Sequence, residues 1–459
     1  MTAGRPLLTW YGDDFTGAAA VAETLAFAGV PAVLFLDIPT PEQIRRFAAA
    51  RAFGIAGIAR AKNPAWMDHA LPPIFHALAA FNAAIVQYKV CSTFDSAPET
   101  GSIGHAAALA APILGGNWTP LLAASPAVGR YQAFGNLFAR AGGNDFGAIW
   151  RLDRHPTMRR HPVTPMTESD LRLHLARQTS APTGLVDLVA MKEGRADAAL
   201  AAARAAGAEI IALDVVDDET LAEAGRLTWE HRGERLFAIG SQGIEEALIA
   251  HWRRTGFLGA APAPPHAGAV ARLAAVSGSC SPLTAAQIAW AETHGFRAIR
   301  LDAAGAVDPT RWESLVHQAS AAALASLGQG ADPIVFTARG PDDPATSALA
   351  TALAASGADA DTVHGRIGDG LGRILADLRR EARLRRLIIA GGDTSGRAAG
   401  ALGIAALTAA APTTAGAALF EAHGPDEAAP DEAAPKLEIA LKGGQMGAED
   451  YFARIKAGQ

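Results

Sequence analysis

What most limits the fold of this chain is a rhythm of short, unbroken apolar runs separated by stretches of helical periodicity. Residues 7–11, 32–36, 54–58, 84–88, 210–213 and 236–240 read as buried strands. Between them 16–28, 41–50 and 196–206 read as helices. Strands without polar alternation are covered on both faces, and strands that alternate with helices run parallel. The segment Gly259-Ala-Ala-Pro-Ala-Pro-Pro-His-Ala-Gly268 breaks the rhythm. Its prolines remove donors and stiffen the backbone, so neither a helix nor a central strand should pass through it. Beyond it the alternation restarts, with strands at 272–276, 297–301, 332–336 and 386–390 and helices at 282–295 and 370–383. A length of 459 residues also exceeds what one core usually serves. The expectation is two Rossmann-like α/β domains with mostly parallel sheets and an interdomain cleft, at 1–258 and 269–459, joined by a linker at 259–268.

Composition removes several classes of function. The formal charge is −6, with no concentrated basic run, which argues against a nucleic-acid partner. Two cysteines, Cys91 and Cys280, exclude a disulfide scaffold and a cysteine-built zinc or iron–sulfur site. The N-terminus runs directly into the first strand without an apolar export core, and no alanine-rich stretch reaches the roughly 20 apolar residues of a membrane span. A cytoplasmic protein without a membrane partner is expected, and a homodimer is compatible with these features. The proline-spaced acidic duplicate at 424–435 reads as an exposed loop without chemistry. His155 and His161 stand among arginines at a spacing that fits no standard zinc site.

Chemistry in parallel sheets collects in the turns beyond the strands' carboxyl ends. The first such turn is Gly12-Asp-Asp-Phe-Thr-Gly17. One of its acids can accept a hydroxyl proton or hold a cation; equally, Asp14 can simply cap the helix. The turn after 84–88 carries Lys89, Ser92, Thr93 and Asp95. A cation, hydroxyls and a carboxylate suit a polyhydroxylated acid, with Lys89 for its carboxylate; an ordinary capped loop is the rival. In the second half, Ser277-Gly-Ser-Cys-Ser281, Gly391-Gly-Asp-Thr-Ser-Gly396 and Lys442-Gly-Gly-Gln-Met-Gly447 each follow a strand. Three glycine turns of this kind in one domain favour a phosphate-rich ligand. No Walker P-loop occurs, and no G-x-G-x-x-G follows the first strand, which counts against NAD.

At these turns the chain resembles the four-carbon acid sugar kinase family. The residues are Gly12-Asp-Asp-Phe-Thr-Gly17, Lys89-Val-Cys-Ser-Thr-Phe-Asp-Ser96, His161-Pro-Val-Thr-Pro-Met166, Ser277-Gly-Ser-Cys-Ser281 and Gly391-Gly-Asp-Thr-Ser-Gly396, in that order. The resemblance implies an N-terminal domain that binds a sugar acid, a C-terminal domain that binds ATP, and reaction between them. ATP contacts would fall on Ser277, Ser279, Gly391, Gly392, Asp393, Thr394, Gly443 and Gly444. The sugar acid would meet Asp13, Asp14, Arg60, Lys89, Ser92, Thr93 and Asp95, with Asp13 or Asp14 as the base and Mg²⁺ accompanying ATP. Two turns depart from the family pattern. Gly443-Gly-Gln-Met-Gly447 stands where Ser-Gly-Asn-Phe-Gly is expected, and Ala97-Pro-Glu-Thr-Gly-Ser-Ile-Gly104 replaces a shorter stretch with Asn. The 97–104 turn resembles more closely the branch that phosphorylates 3-oxo-isoapionate, with tetronates and 3-oxo-tetronate as alternatives. A dehydrogenase, an aldolase or a non-catalytic sugar-acid sensor would use the first-domain turns without consuming ATP.

Overall fold

The computed structural model describes residues 5–141, 147–161, 163–414, 417–425, 436–444 and 446–459. Most of the acidic duplicate, 426–435, lies outside them. The chain separates into two compact units, Met1–Pro262 and Ala263–Gln459, and the division falls inside the proline-rich stretch.

The first unit is built on eight parallel strands. In chain order the strands of this unit are β1 (Leu8–Gly12), β2 (Ala32–Phe35), β3 (Ala52–Ala56), β4 (Ile85–Lys89), β5 (Thr119–Leu122), β6 (Arg130–Ala133), β7 (Asn136–Arg140), β8 (Ile149–Arg151), β9 (Thr183–Val186), β10 (Ile210–Leu213) and β11 (Leu236–Gly240). The parallel sheet runs β2-β3-β1-β4-β11-β5-β10-β9. Its middle strands β1, β4 and β11 are buried along their whole length, as apolar runs without alternation require. Helices Pro64–Ala80 and Ile103–Leu114 cover one face through Met67, Leu71, Phe75, Ile103 and Ala107, packed on Tyr11 and Tyr88. Burial of each large side chain in such a layer is worth about 1.5–3 kcal/mol.

The separate antiparallel sheet β6-β7-β8 was not expected from the sequence. Its hairpin turns on Phe134 and Gly135, both at positive φ (51° and 78°), so a two-residue turn is made without the usual Asn-Gly or Asp-Gly signal.

The second unit holds β12 (Leu273–Ser277), β13 (Phe296–Arg300), β14 (Asp332–Phe336), β15 (Arg386–Ala390), β16 (Ala406–Thr414), β17 (Ala417–His423) and β18 (Leu437–Lys442). Their order is β13-β14-β12-β15-β18-β17-β16, the first five parallel and the last two antiparallel. The 370–383 helix of the sequence reading begins earlier, at Ala360, and runs to Ala382. Its glycines had masked the start. In the fold they face close neighbours: a Cβ on Gly370 would fall 2.7 Å from the Trp312 ring, and one on Gly372 2.6 Å from the Ala398 carbonyl oxygen. Packing therefore overrides the poor helix propensity of glycine.

Candidate active site

Five neighbouring strands of the first unit deliver their following turns to one edge of the sheet. In spatial order these are β3 with Arg60, β1 with Asp13 and Asp14, β4 with Lys89 to Asp95, β11 with Glu245 and Glu246, and β5 with Ser125. Asp13 is pinned by its backbone: its N–H donates to the Lys89 carbonyl and its own carbonyl accepts from Arg60 N–H, both at 2.9 Å. The Arg60 guanidinium closes over the acidic pair, with Nη2 2.6 Å from Asp13 Oδ1 and 2.7 Å from Asp14 Oδ1, and Nε 3.2 Å from Asp13 Oδ2. Asp14 is also the N-cap of helix Phe15–Phe27, accepting from Gly17 N–H at 3.1 Å and from the Thr16 hydroxyl at 2.7 Å. Gly17 is required by closeness. A Cβ there would fall 2.3 Å from Asp14 Oδ1 and 3.0 Å from Lys89 Nζ.

The two acids thus differ in environment. Asp13 is only 2% exposed. Burial raises its pKa to about 6, with the Asp14 charge adding to the effect and Arg60 and Lys89 opposing it. A carboxylate in that range is ionised near neutrality yet basic enough to take a proton. Asp14 is the more exposed of the pair. Burial would depress the Arg60 guanidinium, but the Asp13 and Asp14 carboxylates outweigh it and push its pKa upward.

The β4 turn is the polar wall of this edge. Lys89 is buried, and its ammonium donates to the Val90 carbonyl at 2.8 Å. The Thr93 hydroxyl donates to Asp95, and Cys91 Sγ lies 2.9 Å from Thr93 Oγ1. Burial would raise Asp95, but Arg60 and the Thr93 hydroxyl hold it below the usual carboxylate range. Ser92 is half-buried in the same turn. Phe94 adopts φ 56°, a left-handed conformation that a bulky side chain enters at a cost of order 1–3 kcal/mol. Its ring is fully buried edge-on against His174, and this anchor offsets the strain that turns Thr93 and Asp95 inward.

In the second unit the three glycine turns follow the adjacent strands β12, β15 and β18 and meet one another. Gly278 N–H donates to the Ala390 carbonyl at 3.0 Å, and Gly391 N–H to the Lys442 carbonyl at 2.9 Å. The Ser281 hydroxyl donates to the Gly444 carbonyl at 2.6 Å. A Cβ on Gly278 would sit 2.1 Å from Thr394 Oγ1, so the first and second turns interlock only around glycine. Gly391 holds φ 127°, open to glycine alone in practice, and the next residue starts helix Gly392–Ala401. Ser277 and Ser279 are buried beneath these turns, while Gly443 carries its N–H toward Met446 Sδ. The side chain of Asp393 lies outside the described residues. Backbone amides at the start of helix Gly392–Ala401, beside two further glycine turns, form a candidate anion site.

The sequence reading did not single out Lys442 as a ligand-binding group. It is fully buried at the end of β18, and its ammonium donates to Thr284 Oγ1 at 3.0 Å. Burial lowers its pKa to about 8. The signal was a lone lysine closing an apolar strand directly before Gly443-Gly444. Glu245 and Glu246 were missed too. Burial raises them to about 8 and about 7, with Lys89 opposing the rise at both and the Ser125 hydroxyl at Glu246. His155 and His161 are fasteners: each Nδ1 accepts a backbone N–H within its own loop, from Thr157 and Met158 and from Thr164.

Residues 8–248 match a sugar-binding N-terminal domain, and residues 274–452 match a nucleotide-binding C-terminal domain. The chain is 45% identical over 453 residues to the 3-oxo-isoapionate kinase of Paraburkholderia graminis, covering 99% of this chain and 94% of that one. It is 32% identical to the 3-oxo-tetronate kinase of Methylobacterium radiotolerans, with 96% of each chain covered. A crystal structure from Salmonella typhimurium LT2 shares the fold at a TM-score of 0.72 and 26% identity, with 98% of both chains covered.

Proposed function

The chain belongs to the four-carbon acid sugar kinase family, and from that premise we propose that it transfers the γ-phosphoryl group of ATP to a terminal hydroxyl of 3-oxo-isoapionate, giving the 4-phosphate. The observation that carries the reading is the buried Asp13 carboxylate, raised to about 6 and held by Arg60 at a sheet edge rich in hydroxyls and charge. The choice of 3-oxo-isoapionate over 3-oxo-tetronate is supported by the 45% against 32% identity of the relatives so named.

In this reading the sugar acid belongs to the first unit and ATP to the second. Thr93 and Ser92 meet the sugar's hydroxyls, and Arg60 positions Asp13 against the hydroxyl that reacts. Asp13 takes that hydroxyl's proton as the oxygen bonds to the γ-phosphorus. The bond from the γ-phosphorus to the β,γ-bridging oxygen breaks, ADP leaves, and the proton stays on Asp13 until solvent removes it. The amides that open helix Gly392–Ala401, the Gly444 amide and the Lys442 ammonium carry the charge of the β- and γ-phosphates. Such catalysis consists mostly of positioning and charge neutralisation.

Mg²⁺, when bound, neutralises nucleotide phosphates. Among the described residues no group of three or more His, Cys, Asp or Glu side chains forms a cation cage. Every carboxylate oxygen of Asp13 and Asp14 already accepts a hydrogen bond from Arg60, Thr16 or Gly17. In this reading the ion enters as the counter-ion of ATP, and Asp13 and Asp14 stay engaged with Arg60.

The test is coupled detection of ADP with 3-oxo-isoapionate, 3-oxo-tetronate, D-threonate and D-erythronate in parallel. The highest kcat/KM is expected with 3-oxo-isoapionate. A preference for 3-oxo-tetronate would move the chain to the other substrate, and turnover with none would remove the kinase reading.

A further inference from the structure

Arg130 stands where the antiparallel hairpin β6-β7 meets the sheet edge. Its backbone bridges Ser125, the residue whose hydroxyl donates to Glu246. The Asp95 carboxylate of the β4 turn lies close enough to favour the charge of the Arg130 guanidinium. Nη1 donates to the Val128 and Gly129 carbonyls at 2.9 and 3.3 Å, which fixes the plane of the group. Nε is buried and has no hydrogen-bond partner among the described residues. A buried charged donor left unsatisfied is costly.

The surroundings add to the need for an anion. Arg140 follows Ala139, the register partner of Arg130, and lies close enough for like-charge repulsion. Burial, with that repulsion added, lowers the Arg130 pKa although Asp95 opposes the fall. The Asp95 carboxylate is already engaged by the Thr93 hydroxyl and faces the Arg60 charge. Lys89, expected from sequence to meet the acid, is turned to the Val90 carbonyl beside Gly17. Its charge serves Asp13 and the two glutamates.

The geometry points to Arg130 as the residue that receives the substrate's carboxylate, which would pair the guanidinium's unsatisfied charge. A planar guanidinium held at one end by backbone carbonyls and left with an unpaired N–H is a group that accepts a carboxylate in parallel hydrogen bonds. The assignment rests on the sugar-acid kinase reading and deepens it: the acid group docks at the β6 hairpin while the hydroxyls face the β4 turn. Arg130 thereby becomes a specificity determinant, since a neutral sugar of the same shape would leave the guanidinium buried and unpaired.

The experiment compares wild type, Arg130→Met and Arg130→Lys in the full-length protein. Titration calorimetry would use 3-oxo-isoapionate, its primary amide and inorganic phosphate as separate ligands, with KM for ATP measured alongside. Wild type is expected to bind the acid roughly ten- to a hundredfold more tightly than the amide. Arg130→Met should lose that margin by weakening the acid alone, and Arg130→Lys should recover part of it, with KM for ATP unchanged. Equal weakening of acid and amide, or none, would overturn the assignment, as would phosphate displacing the acid equally from wild type and Arg130→Met. Absence of any sugar-acid-dependent ADP release by wild type would instead remove the kinase reading itself, so the two failures are separable.

Discussion

Asp13 and Asp14 sit side by side under one guanidinium, and burial separates their duties. Replacing Asp13 by Asn should lower kcat by about two to four orders of magnitude while leaving ATP affinity near wild type, measured by steady-state kinetics and nucleotide titration. Asp14→Ala removes a helix cap, so it should cost about 1 kcal/mol of stability and reduce the rate far less. The pH dependence has a definite sign. In the proposed reaction the ionised form of Asp13 is the base, and burial raises its pKa to about 6. The rate should therefore rise with pH through about 6 and level above it, and Asp13→Asn should lack that limb. The sequence offered both aspartates without choosing between them, because depth of burial beneath Arg60, 46 and 47 residues away, is not encoded locally.

At the scale of elements, the site depends on turns that close only around particular residues. Gly278→Ala would drive a methyl group into Thr394, so it should raise KM for ATP at least tenfold while KM for the sugar acid stays constant. Helix Gly243–Arg254 carries a different liability, the fully buried Glu245 near Lys89. Its folded pKa lies near 8, above the unfolded value, so the stability it contributes is complete below the unfolded pKa and is lost as pH rises through about 8. Glu245→Gln should melt several degrees above wild type at pH 9 and near it at pH 5, by calorimetry. Most strands bearing these turns were legible because apolar runs leave little alternative, whereas β5, four residues that include Thr119 and Pro120, was not. The hairpin β6-β7 was not, since its strands mix Arg, Gln and Asn with apolar residues and its turn uses Phe134. The antiparallel strands β16 and β17 were lost in an alanine- and threonine-rich stretch whose pattern favours neither strand nor helix.

For the whole chain, the proline-rich stretch and the restart of alternation after it announced two α/β units. The order of strands was beyond the sequence. It is that order, β3-β1-β4-β11-β5 in one unit and β12-β15-β18 in the other, which gathers turns from distant segments into two sites. Lys442 and Arg130 became visible as candidates only once those neighbours were known, since neither lies in a motif that names its partner. The described residues contain no helix long and apolar enough to cross a membrane. The central claim is that one chain moves a phosphoryl group from ATP to a carboxylated sugar, and phosphorus NMR of the full-length protein with ATP and 3-oxo-isoapionate tests it most directly. The account predicts a new phosphomonoester signal growing in step with ADP and absent without the sugar acid. Inorganic phosphate appearing in its place, or ATP left intact, would contradict it.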